Sequence, residues 1–165
     1  MNINKKQAHA LLQQIAVLVV DDNAYMRKLV RSMLGNLGVK TVFEAGDGID
    51  ALEMIRNVAP DVVILDWEMP LLNGPELVRI VRSPGVFPTP DIPIVMLTAH
   101  ADRLRILNSV KLGVNEVLCK PVSTRALFDR LISVLLKPRA NVKLGNYYGP
   151  APRPQAAVKV ASEAL

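Results

Sequence analysis

Five short apolar runs recur along the chain, and they restrict the fold more than any other feature. The runs are rich in β-branched residues, and in three of them at least four apolar residues follow one another instead of alternating with polar ones. Such runs are typical of strands that are covered on both faces, as in a parallel sheet with helices above and below. The stretches between the runs have helical periodicity, so the sequence predicts five βα units in an α/β fold. The runs are IAVLVV (15–20), VKTVFE (39–44), DVVILD (61–66), IPIVML (92–97) and NEVLCK (115–120).

The five units occupy residues 15–136, which is enough chain for one domain and too little for two of ordinary size. Residues 1–14 form an N-terminal extension in which a short helix is expected. Residues 137–165 contain prolines, glycines and scattered charges without a clear amphipathic period, so an extended or disordered basic tail is predicted. Tyr147 and Tyr148 could instead belong to a docking motif within this tail, and both interpretations stay open.

The net charge of +5 belongs to the two ends of the chain. Residues 1–14 carry +2, residues 137–165 carry +4, and the body carries −1. Because the body has no basic cluster and few aromatic residues, its composition does not favour nucleic-acid binding. No apolar run approaches the roughly 20 residues that cross a bilayer, and the N-terminus lacks the pattern of a signal peptide. We therefore expect a cytoplasmic protein without membrane insertion. The single cysteine, Cys119, cannot form an internal disulfide and is expected to be a small buried hydrophobic residue.

Ionisable and hydroxyl side chains stand where the predicted strands end. Asp21 and Asp22 come after the first strand, and Asp66 ends the third. Thr98 comes after the fourth strand and Lys120 after the fifth. In open parallel sheets, ligands bind at the carboxyl ends of the strands. The sequence therefore predicts a single site with three carboxylates, a hydroxyl and an amine.

Three carboxylates in one site require a cation, because each pair repels by about 4 kcal/mol at 4 Å in an effective dielectric near 20. Oxygen ligands favour a hard cation, and Mg²⁺, with Mn²⁺ as the alternative, keeps coordination positions open for a phosphate oxygen. Asp66 is then a candidate nucleophile, since a carboxylate can attack phosphorus to form an acyl phosphate. Lys120 would neutralise charge on the transferring oxygens, and Thr98 would donate a hydrogen bond to one of them.

Four motifs, in their order and spacing, resemble the receiver domain of bacterial two-component response regulators, the CheY-like family. The motifs are LVVDDN (18–23), LDWEMPLLNG (65–74), MLTAH (96–100) and CKP (119–121), and they are specific as a set. The resemblance covers residues 15–136. It implies a flavodoxin-like, doubly wound sheet of five parallel strands in the order 2-1-3-4-5, with helices on both faces.

The resemblance also implies how a phosphoryl group would be held. Asp66 would be the phosphoacceptor, and Lys120 would bind the phosphoryl group or pair with Asp66 before it arrives. The bond between Lys120 and Pro121 would be cis. Thr98 would be the hydroxyl of the switch.

The metal site implied by the resemblance uses the same edge of the sheet. Asp22, Asp66 and the backbone carbonyl of Glu68 would ligate Mg²⁺, and Asp21 would orient a water molecule bound to the ion. Trp67, beside the acceptor, should lie near the metal and report its binding by fluorescence.

Three positions affect how such a receiver would switch. Most receivers have an aromatic residue three positions before the lysine, and here that position is Val117. Since a short branched side chain cannot swing as a ring can, signalling is expected to run through the loop after Thr98 and the helix over 101–111. Glu68 and His100 occupy two positions that tune the lifetime of the phosphoryl group in the family.

The resemblance predicts a stand-alone signalling domain, not an enzyme, that receives its phosphoryl group from a histidine kinase or a histidine phosphotransfer protein. Its downstream protein target would bind the face formed by the fourth helix, the fifth strand and the fifth helix of the βα units. The tail would dock on the body of the protein or on a partner.

Two alternative functions stay open. A small phosphatase of the haloacid dehalogenase type also uses an Asp nucleophile, Mg²⁺, Thr and Lys, although its acidic pair comes late in the chain. A degenerate receiver would be a binding module without phosphorylation, with Asp66 and Lys120 as a structural ion pair. Asp21 and Asp22, together with Asn23, could also simply cap the next helix.

Overall fold

The computed structural model describes residues 3–153, which contain a sheet of five parallel strands. The strands are β1 (Ala16–Val20), β2 (Thr41–Ala45), β3 (Val62–Asp66), β4 (Ile94–Thr98) and β5 (Glu116–Cys119). Their order in the sheet is β2-β1-β3-β4-β5, which confirms the flavodoxin-like prediction. The strand order reverses between β1 and β3, so the carboxyl ends of these two strands flank the topological switch point.

One helix precedes β1, and a helix follows each of the five strands. The helices are α1 (Lys5–Leu12), α2 (Ala24–Leu37), α3 (Gly48–Val58), α4 (Gly74–Val81), α5 (Arg103–Leu112) and α6 (Thr124–Leu136). The fourth and fifth helices of the βα units are therefore α5 and α6. The N-terminal extension contains α1, where a short helix is expected. Within residues 3–153, no helix has both the length and the apolar character needed to cross a bilayer.

Both faces of the central strands β1, β3 and β4 are buried, which explains why these strands are apolar at nearly every position, whereas the edge strands β2 and β5 are partly exposed. In β1, Val17 and Val19 pack in one core layer and Leu18 and Val20 in the other, because successive side chains of a strand point to opposite faces. The first layer is completed by α1, α2 and α6, and the second by α3 and α4. The buried helix residues include Leu12, Leu34, Leu127 and Leu131 in the first layer and Ile55, Leu77 and Val78 in the second.

The C-terminal segment differs from the expectation of an extended or disordered tail. β6 (Asn141–Leu144) and β7 (Tyr147–Pro150) form an antiparallel hairpin, and β7 contacts α5. The Tyr148 hydroxyl donates a hydrogen bond to Asp91, in the loop before β4. This contact fixes the hairpin to the body of the protein. Residues 154–165 of the predicted tail lie outside the described residues.

Arg82, directly after α4, joins the two loops that precede β4 and β5, at the end of the sheet away from the acids. It is buried, and its guanidinium donates hydrogen bonds at 2.6–2.9 Å to the carbonyl oxygens of Pro90, Ile92 and Gly113 and to Asn115 Oδ1. Burial lowers the pKa of Arg82 to about 10, so the side chain stays charged at neutral pH. Four acceptors from two loops therefore share this donor group, although Asn115 Oδ1 also accepts a hydrogen bond from the Ile94 backbone N–H.

Replacing Arg82 with methionine is expected to lower the free energy of unfolding by about 2–3 kcal/mol, because these acceptors lose their shared donor. Urea denaturation measures the loss. The matched control is Arg79→Met, on the exposed side of the same helix, which should change stability by less than about 0.5 kcal/mol. An equally small loss for Arg82→Met would mean that the loops do not depend on the arginine.

Candidate functional site

Three carboxylates meet at the carboxyl edge of the sheet, beside the topological switch point. Asp21 and Asp22 directly follow β1, and Asp66 is the last residue of β3. One carboxylate oxygen from each lies within 4.8 Å of those from the other two. Asp21 and Asp66 are buried, at 2% and 7% exposure, while Asp22 is exposed. The structure thus brings the three predicted acids together in a cluster that solvent reaches from one side.

Lys120 enters this cluster from the end of β5. Its Nζ atom lies 3.0 Å from Asp66 Oδ1 and 3.4 Å from Asp21 Oδ2, and its bond to Pro121 is cis. Burial raises the pKa of Asp66 above its ordinary value, an effect that the hydrogen bond from Lys120 offsets only in part. Burial would lower the pKa of Lys120, but its bonds and charge pairing with the two acids outweigh this and raise it. The surroundings of Asp66 therefore disfavour its negative charge, and a further cation would relieve this.

The first acidic pair is held by the start of α2. Asn23 is the N-cap, and its side chain accepts hydrogen bonds from the backbone N–H groups of Tyr25 and Met26 at 2.9 and 3.2 Å. Asp21 Oδ1 accepts from the Asn23 N–H at 2.9 Å, and Arg27 donates to the Asp21 carbonyl oxygen at 2.7 Å. The helix is therefore capped by Asn23, and the Asp21 side chain belongs to the acidic cluster.

Thr98 ends β4, the strand next to β3, and it is buried. Its Oγ1 atom accepts a hydrogen bond from the His100 backbone N–H at 3.1 Å. A cleft of about 630 Å³ opens at this edge of the sheet. Its lining includes Asp21, Asp22, Asp66, Glu68, Thr98 and Lys120. The residues predicted to bind metal and phosphoryl groups therefore face one common space.

The predicted modulating residues lie around this cleft at different depths. Glu68 lines the cleft, and His100 is exposed in the loop after β4. Val117 is partly buried in β5 and packs against the second core layer. The expectation that Cys119 is buried is wrong, because β5 is an edge strand and the thiol at its end is exposed.

Arg105 also belongs to the site, although the sequence did not single it out. Its guanidinium lies over the Trp67 ring, 4.8 Å from the ring centroid. Its Nη1 atom lies 3.2 Å from Glu68 Oε1 and 3.5 Å from Thr98 Oγ1. The sequence does contain an indication that these arginines have partners outside the helix. The first turn of α5 contains arginines and no acidic residue, whereas the helix dipole favours acids there.

Comparisons with known proteins point to one family. Residues 17–132 match the family model described as the response regulator receiver domain. The chemotaxis protein CheY1 of Helicobacter pylori is 38% identical over 120 residues, which cover 72% of this chain and 95% of that protein. The structure of Vibrio cholerae chemotaxis protein CheY4 has a TM-score of 0.66 and 32% identity, and it covers 73% of this chain and 98% of its own. The receiver domain of Francisella response regulator 1452 has a TM-score of 0.69 and 27% identity, with coverage of 76% and 100%.

Proposed function

Because the chain belongs to the response regulator receiver domain family, we propose that Asp66 accepts a phosphoryl group from a histidine kinase or a histidine phosphotransfer protein. The observation that supports this role most is the 3.0 Å contact between Asp66 and Lys120 inside an acidic cluster. CheY-like receiver domains are signalling domains, and we expect one phosphoryl group per chain rather than turnover. We place the protein in the cytoplasm, where its phosphorylated state would change its contacts with a downstream protein.

The same acids suit a hard divalent cation, which we propose to be Mg²⁺, with Mn²⁺ as a substitute. Asp22, Asp66 and the backbone carbonyl of Glu68 would ligate the ion, and Asp21 would orient a water molecule bound to it. All of these donors are oxygen atoms, and the carboxylate oxygens are close enough to share one ion. The cation would neutralise negative charge that develops on the transferring phosphoryl oxygens.

Asp66 supplies the nucleophile. One of its carboxylate oxygens attacks phosphorus, an O–P bond forms as the bond between phosphorus and the donor breaks, and the donor leaves with that electron pair. The Lys120 ammonium group then donates to a phosphoryl oxygen, and the Thr98 hydroxyl donates to another. The charge added at Asp66 therefore redistributes the contacts of both residues.

Addition of Mg²⁺ is expected to quench or shift the emission of Trp67, the single tryptophan of the chain, because its side chain lines the cleft. Asp22→Ala is expected to abolish this response at Mg²⁺ concentrations that saturate the wild type, because a metal ligand is lost. A fluorescence titration measures both. Asp129→Ala removes an exposed acid from α6 and should leave the response intact. An unchanged titration in Asp22→Ala would exclude Asp22 from the metal site.

We propose that the downstream target binds the face formed by α5, β5 and α6, where a groove of about 270 Å³ is located. Arg130 and Arg153 pair there with Glu116, and Arg139 lies nearby. Within the described part of the chain, Arg130 Nε is buried without a hydrogen-bond partner. Three guanidinium groups beside one carboxylate and an aliphatic wall favour a partner segment with acidic and aliphatic side chains. The aliphatic wall includes Ile106, Val110, Val114 and Val117.

The C-terminal segment contributes to this face, which supports docking of the tail on the body of the protein. Arg139 donates hydrogen bonds to the carbonyl oxygens of Asn115 and Ala151 at 2.7 and 2.9 Å. Burial lowers the pKa of Arg139, and the like charge of Arg153 lowers it further. An acidic partner would relieve this repulsion, so we expect partner binding to depend on the C-terminal segment.

Incubation with acetyl phosphate and Mg²⁺, followed by intact mass measurement, tests the function. A receiver gains one phosphoryl group per chain and does not hydrolyse phosphate esters repeatedly. Sustained ester hydrolysis would favour the phosphatase of the haloacid dehalogenase type. Absence of any Mg²⁺-dependent labelling would instead leave a degenerate receiver that binds partners without phosphorylation.

A further inference from the structure

Arg105, in the first turn of α5, contacts residues at the ends of both β3 and β4, on either side of the phosphoacceptor. Trp67 and Glu68 directly follow Asp66, and Thr98 ends the neighbouring strand. Arg105 stacks on the Trp67 ring at 4.8 Å, pairs with Glu68 at 3.2 Å and approaches Thr98 Oγ1 at 3.5 Å. The Arg105 side chain is 25% exposed, which partly shields its contact with Trp67 from solvent, whereas the Glu68 side chain is 67% exposed.

The placement of Arg105 is not explained by the helix that carries it. Cations are unfavourable in the first turn of a helix, and here the only acid at the helix start is the N-cap Asp102. The turn is capped by Asp102, whose side chain accepts from the Arg105 backbone N–H at 2.9 Å, and this bond does not involve the guanidinium. The partners of the guanidinium therefore lie outside the helix, around the acceptor.

A phosphoryl group on Asp66 changes the balance among these partners. It adds negative charge close to Glu68 and Arg105, and it offers the Thr98 hydroxyl a strong acceptor. Like charge then disfavours the present position of Glu68, while the guanidinium is attracted towards the phosphoryl group together with Thr98. Because Arg105 belongs to α5, such a change in its contacts shifts the conformational equilibrium of α5.

We propose that Arg105 is the positioning residue that couples the state of Asp66 to α5, a role that Val117 cannot fill because it has no ring to swing. This inference rests on the proposed function, since it requires a phosphoryl group at Asp66. It assigns the link between the acceptor and the α5–β5–α6 face to a salt bridge and a cation–π contact rather than to a buried aromatic side chain.

The test is amide hydrogen exchange of α5 with and without acetyl phosphate and Mg²⁺, with the labelled fraction read from the intact mass of the same samples. In the wild type, phosphorylation is expected to change the exchange rates of residues 103–109 by at least about fivefold. Exchange is compared at equal labelled fraction, whatever the labelling rate of each variant, and labelled Arg105→Ala should lose most of this change. Arg105→Lys, which keeps the charge but not the planar group, should recover part of it.

Lys111→Ala removes an exposed cation from the same helix and serves as the matched control, with a full response expected. A wild-type response in labelled Arg105→Ala would overturn the role of Arg105 and leave the phosphoacceptor assignment intact. A labelled wild type whose α5 exchange does not change would also overturn it. Absence of labelling in the wild type would overturn the proposed function, and the role of Arg105 with it.

Discussion

Replacing Asp66 with asparagine is expected to abolish Mg²⁺-dependent labelling by acetyl phosphate. Asparagine has nearly the same shape, but its amide lacks the carboxylate oxygen that attacks phosphorus, and it brings no negative charge to the cation. The fold should survive, because the surroundings of Asp66 already disfavour its charged form. Intact mass measurement after incubation with acetyl phosphate reports the result directly.

Asp61→Asn is the matched control for this substitution. Asp61 precedes β3 and accepts a hydrogen bond from the Ala16 backbone N–H at 2.7 Å, which an asparagine oxygen can also accept. This variant should be labelled like the wild type. Equal labelling of Asp66→Asn and the wild type would defeat the assignment of the acceptor.

Replacing Lys120 with alanine is expected to slow labelling by about 10²-fold or more, because a positioned donor to the transferring oxygens is lost. Affinity for Mg²⁺ should rise or stay the same, since Lys120 now neutralises part of the charge of Asp21 and Asp66. The initial labelling rate at saturating Mg²⁺ and a Trp67 titration measure the two effects separately. Slower labelling together with unchanged or tighter Mg²⁺ binding would exclude unfolding as the cause, because unfolding would weaken both.

Lys111→Ala again provides the control, because it removes a lysine that does not line the cleft. Its labelling rate should equal that of the wild type. A rate within about twofold of the wild type in Lys120→Ala would contradict a role for this ammonium group in phosphoryl transfer.

The sheet could be predicted from the sequence because its determinants are local. Every strand of the pattern is apolar on both faces, as Val17 and Leu18 illustrate by packing in opposite core layers. The convergence of Asp21, Asp22 and Asp66 followed from the rule that parallel strands end at one edge. The roles of these residues in phosphoryl transfer stay predictions that the experiments above address.

The features that the sequence did not predict depend on contacts between distant residues. The hairpin over 141–150 has no strong apolar pattern, and it is held by pairs such as Tyr148 with Asp91. The exposure of Cys119 follows from the edge position of β5, which a single run of residues cannot reveal. The arginines in the first turn of α5 are visible in the sequence, but only the fold brings Arg105 beside Trp67 and Glu68.

The most direct test of a nucleophilic carboxylate at the switch point is to locate the phosphoryl group on the chain. After incubation with acetyl phosphate and Mg²⁺, borohydride reduction converts a phosphorylated aspartate to homoserine, and fragmentation mass spectrometry identifies the converted position. We predict conversion at Asp66 that requires Mg²⁺. Conversion at another aspartate, or none in a protein that has gained a phosphoryl group, would contradict the acyl phosphate at Asp66.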